Sequence, residues 1–281
     1  MESHDLRIFK HVAELKSISK AAEKLGYVQP NVSQRIKVLE DELGVRLFMR
    51  NNRGVTLTKE GNILLEYTNQ IISLMDKAKS KINPEKWRES FVIGAPQTIS
   101  AVKIPQLLST FLTKNKNIDV KVRTSNKQKL QEMLSYGELD GVFISGMYNY
   151  SQFETVYSYF EKVMLISPKH NQLEEHHDQT LLINSDSDCI YRNILLEFAS
   201  KSNFKHPTIM EFDSLESIVQ GVNDGLGISI IPADVANSRK GIIQTVQFQE
   251  LSETIKIDFV IKHRKQQPQS LNKFIRYLQS L

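Results

Sequence analysis

Between Gln29 and Lys37 the chain reads QPNVSQRIK, with amides and a hydroxyl where a solvent-facing helix ordinarily carries Glu and Lys. Gln29, Asn31 and Gln34 bear amides that donate and accept at once. That is the pattern needed to pair bidentately with adenine N6 and N7 in a major groove, and Ser33 can hydrogen-bond either a base or a phosphate. Arg35 and Lys37, with Arg50 and Arg53 further on, are cations that can neutralise phosphates, supplying affinity and register rather than sequence choice. Any one of these alone is an ordinary solvated surface residue. Together on one helix face and the turn after it, they point to duplex DNA.

Other reactive side chains do not assemble into a chemistry. His176 and His177 stand beside Glu174, Glu175 and Asp178, which invites a metal, but adjacent loop residues rarely converge on one ion without partners elsewhere. No metal or other cofactor is expected. The single cysteine, Cys189, cannot form an internal disulfide, which agrees with a reducing compartment, and it reads as a small buried apolar side chain. No nucleophile motif, phosphate loop or dinucleotide fingerprint is present, and the glycines of GVNDGLGIS end a helix rather than begin one. No catalytic residue is therefore expected, and an enzyme is a rival reading without a site.

The elements that position the polar face follow from periodicity. Leu6, Phe9, Val12 and Ala13 mark a first amphipathic helix, and a second, short one runs from Ser19 to about Leu25 with Gly26 as its stop. In the third, Val32, Ile36, Leu39 and Leu43 form a narrow apolar stripe. Pro30, Gln34, Lys37 and Asp41 lie nearly opposite, with Asn31 and Ser33 on the shoulders. Pro30 is tolerable there because first-turn N–H groups have no intrahelical acceptor to lose. LFMR and GVTLT then predict two short strands around NNRG, a small wing on a helix-turn-helix. Thr58 caps a long helix halted by Pro84, whose stripe of Leu64, Ile71, Met75, Ala78 and Ile82, with Thr68 between, predicts a dimerising linker.

From Phe91 the grammar changes to alternating strands and helices, which predicts a mostly parallel sheet with crossover helices in two similar lobes. The expected strands are FVIGA, IDVKVRTS, LDGVFI, KVMLISP, TLLIN, TIMEF, GISIIP and IKIDFVIKH, and the last of them, with the helix SLNKFIRYLQSL, can return to the first lobe. A cleft between lobes suits a small molecule. The 281 residues, 40% hydrophobic and 24% charged, are ordinary for folded protein of two or three domains. The N-terminus has no apolar signal region and no run is long enough to span a membrane, so a cytoplasmic location and no membrane partner are expected. Of the net charge of +4, residues 1–60 hold three, from eleven Lys or Arg against eight Asp or Glu, a bias that permits nucleic-acid binding.

The stretch from Leu6 to Leu65 resembles the DNA-binding domain of LysR-type transcriptional regulators almost position by position. The shared pattern is S-x-S-x-AA-x-x-L over Ser17 to Leu25, QP-x-x-S over Gln29 to Ser33, LE-x-x-LG over Leu39 to Gly44, LF-x-R over Leu47 to Arg50 and LT-x-x-G over Leu57 to Gly61. GLGISIIP and GELDGVFI resemble segments of the family's effector domain. The resemblance implies an α/β protein with an N-terminal winged helix-turn-helix at 1–58, a linker or dimerisation helix and hinge at 59–88, and a two-lobed effector-binding domain at 89–281 resembling periplasmic solute-binding proteins. Lobe I would take about 89–160 plus 262–281, and lobe II about 161–261. It also implies sequence-specific regulation at double-stranded promoter DNA, a homodimer or homotetramer and RNA polymerase as a further partner, with Ser19 and Pro30 joining the DNA-facing set.

One position departs from the family. A small hydroxyl residue usually precedes QP as helix cap, and here it is Val28; losing such a cap costs about 1 kcal/mol unless packing compensates or the helix starts differently. For the effector, the resemblance points to small polar residues after the first strand, where helix openings favour an anion. Thr98 and Ser100 are the candidates there, with Ser145, Ser185, Ser187 and Ser214 across the cleft. The rival readings are a solute-binding protein, which the missing signal peptide opposes, and a DNA-binding repressor that needs no ligand.

Overall fold

The computed structural model describes residues 1–51, 54–83, 86–169, 179–202, 204, 206–240, 246–263 and 267–281. Arg53, Pro84, His176 and His177 lie outside the described residues. The chain forms two compact units, residues 1–90 with 132–139, and residues 91–131 with 140–281.

In the first unit, α1 (Ser3–Leu15), α2 (Ile18–Leu25) and α3 (Gln29–Leu43) close on a core of Phe9, Val12, Ala21, Val32, Ile36 and Leu39. The cap of α2 is Ser17, whose Oγ accepts the Lys20 N–H at 3.3 Å, not Ser19, which is exposed in the first turn. The reason is Ile18: its burial draws the apolar face, and with it the helix start, back before Ser19. Gly26, at φ 71°, ends α2 in the left-handed conformation.

Helix α3 does start at Gln29. Val28 sits in the capping position with extended backbone and no side-chain hydrogen bond, and at 63% exposure its packing does not compensate. Its carbonyl instead accepts the Asn31 N–H at 3.1 Å, a tight turn that satisfies one of the orphan donors. The apolar stripe ends sooner than expected, since Leu43 is exposed while Glu40 is buried. Gly44 reverses the chain over Glu40, whose Oε1 accepts the N–H groups of Leu47 (2.8 Å) and Phe48 (3.2 Å) and whose Oε2 accepts from Arg46 Nη1 at 2.9 Å.

The wing is an antiparallel pair, β1 (Phe48–Asn51) with β2 (Gly54–Leu57), in register from Phe48 opposite Leu57 to Asn51 opposite Gly54. It is tied to the α1–α2 turn by the Val55 N–H donating to Lys16 O at 3.0 Å. A Cβ on Gly54 would stand 2.4 Å from that same oxygen, and its φ is +126°, so this position requires glycine. Thr58 then caps α4 (Lys59–Ile82) by accepting the Gly61 N–H at 2.9 Å. Among the described residues, no helix is long and apolar enough to cross a membrane.

After α4 the chain forms β3 (Glu89–Ala95), the single-turn α5 (Gln97–Ser100), α6 (Lys103–Lys114), β4 (Ile118–Thr124), α7 (Lys127–Ser135) and β5 (Gly141–Ser145). A long strand β6 (Phe153–Pro168) leads to β7 (Thr180–Asn184), α8 (Ile190–Lys201), β8 (Thr208–Phe212), α9 (Leu215–Asn223), β9 (Ser229–Pro232) and α10 (Ala233–Arg239). A second long strand, β10 (Val246–Lys262), and α11 (Gln269–Gln279) end the chain. The six-stranded sheet has the order β4-β3-β5-β10-β6-β9, and β7 pairs with β8 in a second sheet.

Parallel pairing holds for β3 with β5 and β7 with β8, but β10 is antiparallel to both β5 and β6, and β6 to β9. The expected mostly parallel sheet is thus mixed. Strands β6 and β10 form one antiparallel ribbon that crosses between lobes, longer than the segments KVMLISP and IKIDFVIKH that announce them. Their other halves are more exposed, and in β6 Val156, Tyr157 and Tyr159 alternate irregularly with Glu154, Thr155 and Ser158, so the apolar pattern marks only part of each strand. Because Ile257–Val260 pairs with β5, the chain is back in the first lobe before residue 262. Helix α11 returns as well: Phe274 stacks on Phe91 at 5.3 Å and meets Phe111 and Phe259 edge-on. The second lobe buries Ile166, Leu182, Ile218, Val222, Ile231 and Val235. Gly227 lets β9 approach β7, since a Cβ there would lie 2.2 Å from Thr180 O.

Candidate DNA-reading face and effector cleft

The core side of α3 is sealed by Val32, Ile36 and Leu39, which leaves Gln29, Pro30, Asn31 and Gln34 exposed and Ser33 half-buried beside them. Among the described residues, the side chains of Gln29, Asn31 and Gln34 make no hydrogen bond within the chain, so their donors and acceptors are available to a partner. Lys37 on the same helix and Arg50 on β1 are exposed, and neither forms an ion pair among the described residues. Arg35 differs. Its Nη1 donates to Asp5 Oδ1 at 3.0 Å, tying α3 to α1, while the other Asp5 oxygen accepts the Glu2 N–H at 3.2 Å. Tyr27, in the turn before α3, is 40% exposed and hydrogen-bonded through its hydroxyl to His4 Nε2 at 3.2 Å. Both line the groove beside Asn31 and Gln34, and neither carries a sequence pattern that marks it.

On α4 the expected stripe is unevenly covered. Leu64 packs partly against the winged-helix core, Ile71 and Met75 are half-buried, and Ala78 and Ile82 are exposed. Ile63, Tyr67 and Leu74, which the four-three alternation passes over, are 52%, 59% and 63% exposed, whereas Leu65, Thr68 and Ile72 are buried.

In the second unit a cleft of about 350 Å³ lies between the lobes. Thr98, Ser145 and Ser185 line it. Ser100, Ser187 and Ser214 are not among its lining residues. Ser100 Oγ donates to Gln97 O at 3.1 Å and accepts from Thr124 Oγ1 at 3.3 Å, Ser187 is exposed in its loop, and Ser214 holds the capping position of α9 without a side-chain bond. The α9 opening is served from the opposite lobe, where Gln97 Oε1 accepts the Leu215 N–H at 3.0 Å. The helix openings therefore offer less to an anion than the spacing suggests: α5 is one turn long, and the first donor of α9 is engaged. Gln97, Asn126 and Lys127 join the cleft wall from the first lobe, and Asp186, Asp188 and Asp213 from the second. Cys189 also borders it, and burial pushes its thiol pKa up, away from thiolate chemistry.

A family model described as the bacterial regulatory helix-turn-helix protein, lysR family, matches residues 3–62, and one described as the LysR substrate binding domain matches residues 84–281. The chain belongs to the LysR family of transcriptional regulators. It is a DNA-binding regulator with a helical linker and a two-lobed effector-binding domain. Its curated relatives include the HTH-type regulator YusT of Bacillus subtilis, 36% identical over 93% of this chain and 90% of the relative. CzcR of Bacillus cereus is 33% identical over 99% and 97%. In fold, this LysR-type regulator is similar to full-length OxyR of Pseudomonas aeruginosa (TM-score 0.70, 21% identity, 99% and 95% covered). It is likewise similar to CbnR complexed with its target DNA (TM-score 0.68, 21% identity, 100% and 99% covered). In this LysR-type regulator, Glu40 beside the wing and Gln97 between the lobes have further roles that spacing alone leaves unmarked, because both act through backbone partners outside their own helices.

Proposed function

We propose that this regulator reads promoter DNA with Gln29, Asn31, Ser33 and Gln34 in the major groove, while Lys37, Arg50 and Arg53 contact phosphates. The observation that carries the reading is the exposed first half of α3, whose amide side chains find no partner within the chain. Ser19 and Pro30 flank that surface, and Arg35 supports it by holding α3 to α1. Two copies, paired along the apolar face of α4, engage two half-sites, and a pair of such dimers gives the tetramer. A small molecule bound between the lobes of the second unit, against Thr98, Ser145 and Ser185, sets the activity. The protein works in the cytoplasm at promoters, alongside RNA polymerase, as a regulator and not as an enzyme. CbnR's structure on its target DNA supports the first step by likeness of fold.

The test is selection of binding sites from random duplexes with the full-length protein, followed by genome-wide mapping of the tagged protein. A two-half-site consensus that recurs at promoters, and that Gln34→Ala no longer prefers, is expected. Binding without sequence preference would remove the base-reading assignment.

A further inference from the structure

The cleft's charges name a ligand class, an inference that rests on the reading of the cleft as the effector site. Its charged lining residues are Lys127 on the first lobe and Asp186, Asp188 and Asp213 on the second. Lys127 opens α7, and its Nζ would lie 3.4 Å from a Cβ on Gly146, immediately after Ser145, so the ammonium stands at the C-terminal end of β5. It forms no ion pair among the described residues. Burial lowers its pKa, and the Asp188 charge opposes that shift without pairing.

The second lobe's wall is acidic without internal neutralisation. The side chains of Asp188 and Asp213 have no hydrogen-bond or salt-bridge partner among the described residues, and Asp186 Oδ1 accepts only the Asp188 N–H at 3.1 Å. The neighbouring cation, Arg192, is engaged: its Nη1 donates to Asn184 O and to Glu211 Oε1, both at 2.8 Å. No group of three His, Cys, Asp or Glu side chains among the described residues converges closely enough to hold a metal ion. The carboxylates line one wall without forming a metal site, while the opposite wall offers one ammonium and the hydroxyls of Thr98 and Ser145. A purely anionic molecule would meet three carboxylates and one cation.

We propose that the effector is a zwitterion, a free amino acid or close relative, whose ammonium lies against Asp186, Asp188 and Asp213 and whose carboxylate lies against Lys127 and the first-lobe hydroxyls. The volume suits this class, since about 350 Å³ is at the small end of ligand sites and most of the lining residues carry polar or charged side chains.

Calorimetry on the full-length protein tests it with three sets of probes: the proteinogenic amino acids, their N-acetyl derivatives, which lack the cation, and their amides, which lack the carboxylate. At least one free amino acid should bind, with each derivative tenfold or more weaker. Asp213→Asn and Lys127→Gln should each cost tenfold or more, and Asp186→Asn is the substitute should Asp213→Asn fail to fold. Tighter binding of an N-acetyl derivative, further strengthened in Asp213→Asn and lost in Thr98→Val, would overturn the zwitterion and leave the cleft as the effector site. An amino acid that binds all these variants equally would overturn both readings, and no binding from any set would overturn the ligand class.

Discussion

Gln34 and Arg35 are neighbours on α3 with opposite situations, one without a partner and the other bonded to Asp5. Gln34→Ala should therefore cost about 1–3 kcal/mol at a cognate duplex and little on random DNA. Arg50→Ala should weaken both equally and make the salt dependence shallower by roughly one unit, since one counterion fewer is released. Arg35→Ala should instead lower the stability of the DNA-binding unit by up to about 1 kcal/mol, the range for a half-exposed ion pair, with Asp5→Asn reproducing the effect. Equilibrium titrations at several salt concentrations with parallel melting curves separate these outcomes; a normal salt slope in Arg50→Ala would sink the phosphate contact. Glu40 is the stricter case. Its carboxylate serves two backbone N–H groups and Arg46, so Glu40→Ala strands buried donors and should destabilise the unit by roughly 3 kcal/mol, whereas Glu40→Gln, still able to accept both N–H bonds, should cost about half that. Denaturant unfolding measures the difference. The exposed, unpartnered amides of α3 were legible because solvated faces seldom carry that composition. The role of Glu40 was not, because the LE-x-x-LG pattern that contains it marks a resemblance and not a contact, and its partners Leu47 and Phe48 lie beyond its helix.

At the scale of elements, α4 shows what a period can and cannot resolve. On a helical wheel its apolar residues other than the buried Leu65 and Ile72 run from Ile63 through Leu74, Tyr67, Ala78 and Ile71 to Leu64, Ile82 and Met75, an arc of about 120°. A heptad reading picks the centre and one edge of that arc. The fold covers the Leu64 and Met75 edge in part and leaves Ile63, Tyr67 and Leu74 in solvent, which shifts the proposed pairing surface toward the latter. Tyr67→Glu with Leu74→Glu should give monomers in sedimentation and far weaker operator binding, with helicity unchanged because both sites are exposed. Met75→Glu, at a half-buried position, should cost stability as well as assembly. Unchanged assembly in the double variant would place the interface elsewhere. The same limit explains the missed α10, whose seven residues follow a proline and are too few to establish a period, and the understated β6 and β10, where alternation fades once the strand leaves a lobe.

Across the effector-binding unit as a whole, the crossing ribbon concentrates an ionisable cluster that no single segment announces. Glu161 on β6 is buried and accepts the Tyr191 hydroxyl of α8, Lys103 of α6 pairs with Asp234 of α10 at 3.4 Å, and the same Lys103 ammonium lies 4.8 Å from the Tyr159 ring. Burial raises the Glu161 carboxyl from 4.5 to about 7; the Tyr191 hydroxyl opposes this, the Asp234 charge adds to it and Lys103 opposes it. The folded state therefore holds a proton that the unfolded chain has released, and stability must fall as pH rises from about 4.5 to about 7, then level off. A shift of this size corresponds to roughly 3 kcal/mol over that window. Scanning calorimetry of the full chain between pH 5 and pH 8 should show a transition that moves down with pH. Glu161→Gln, which stays neutral and can still accept from Tyr191, should flatten that dependence and match or exceed the wild type at pH 8. Because the cluster pairs Lys103 from one lobe with Asp234 from the other, beside the Glu161–Tyr191 bond, the same variant should leave the cleft-lining residues untouched while making effector affinity less sensitive to pH. A wild-type transition flat across the window, or a slope that persists in Glu161→Gln, would remove Glu161 as the titrating group.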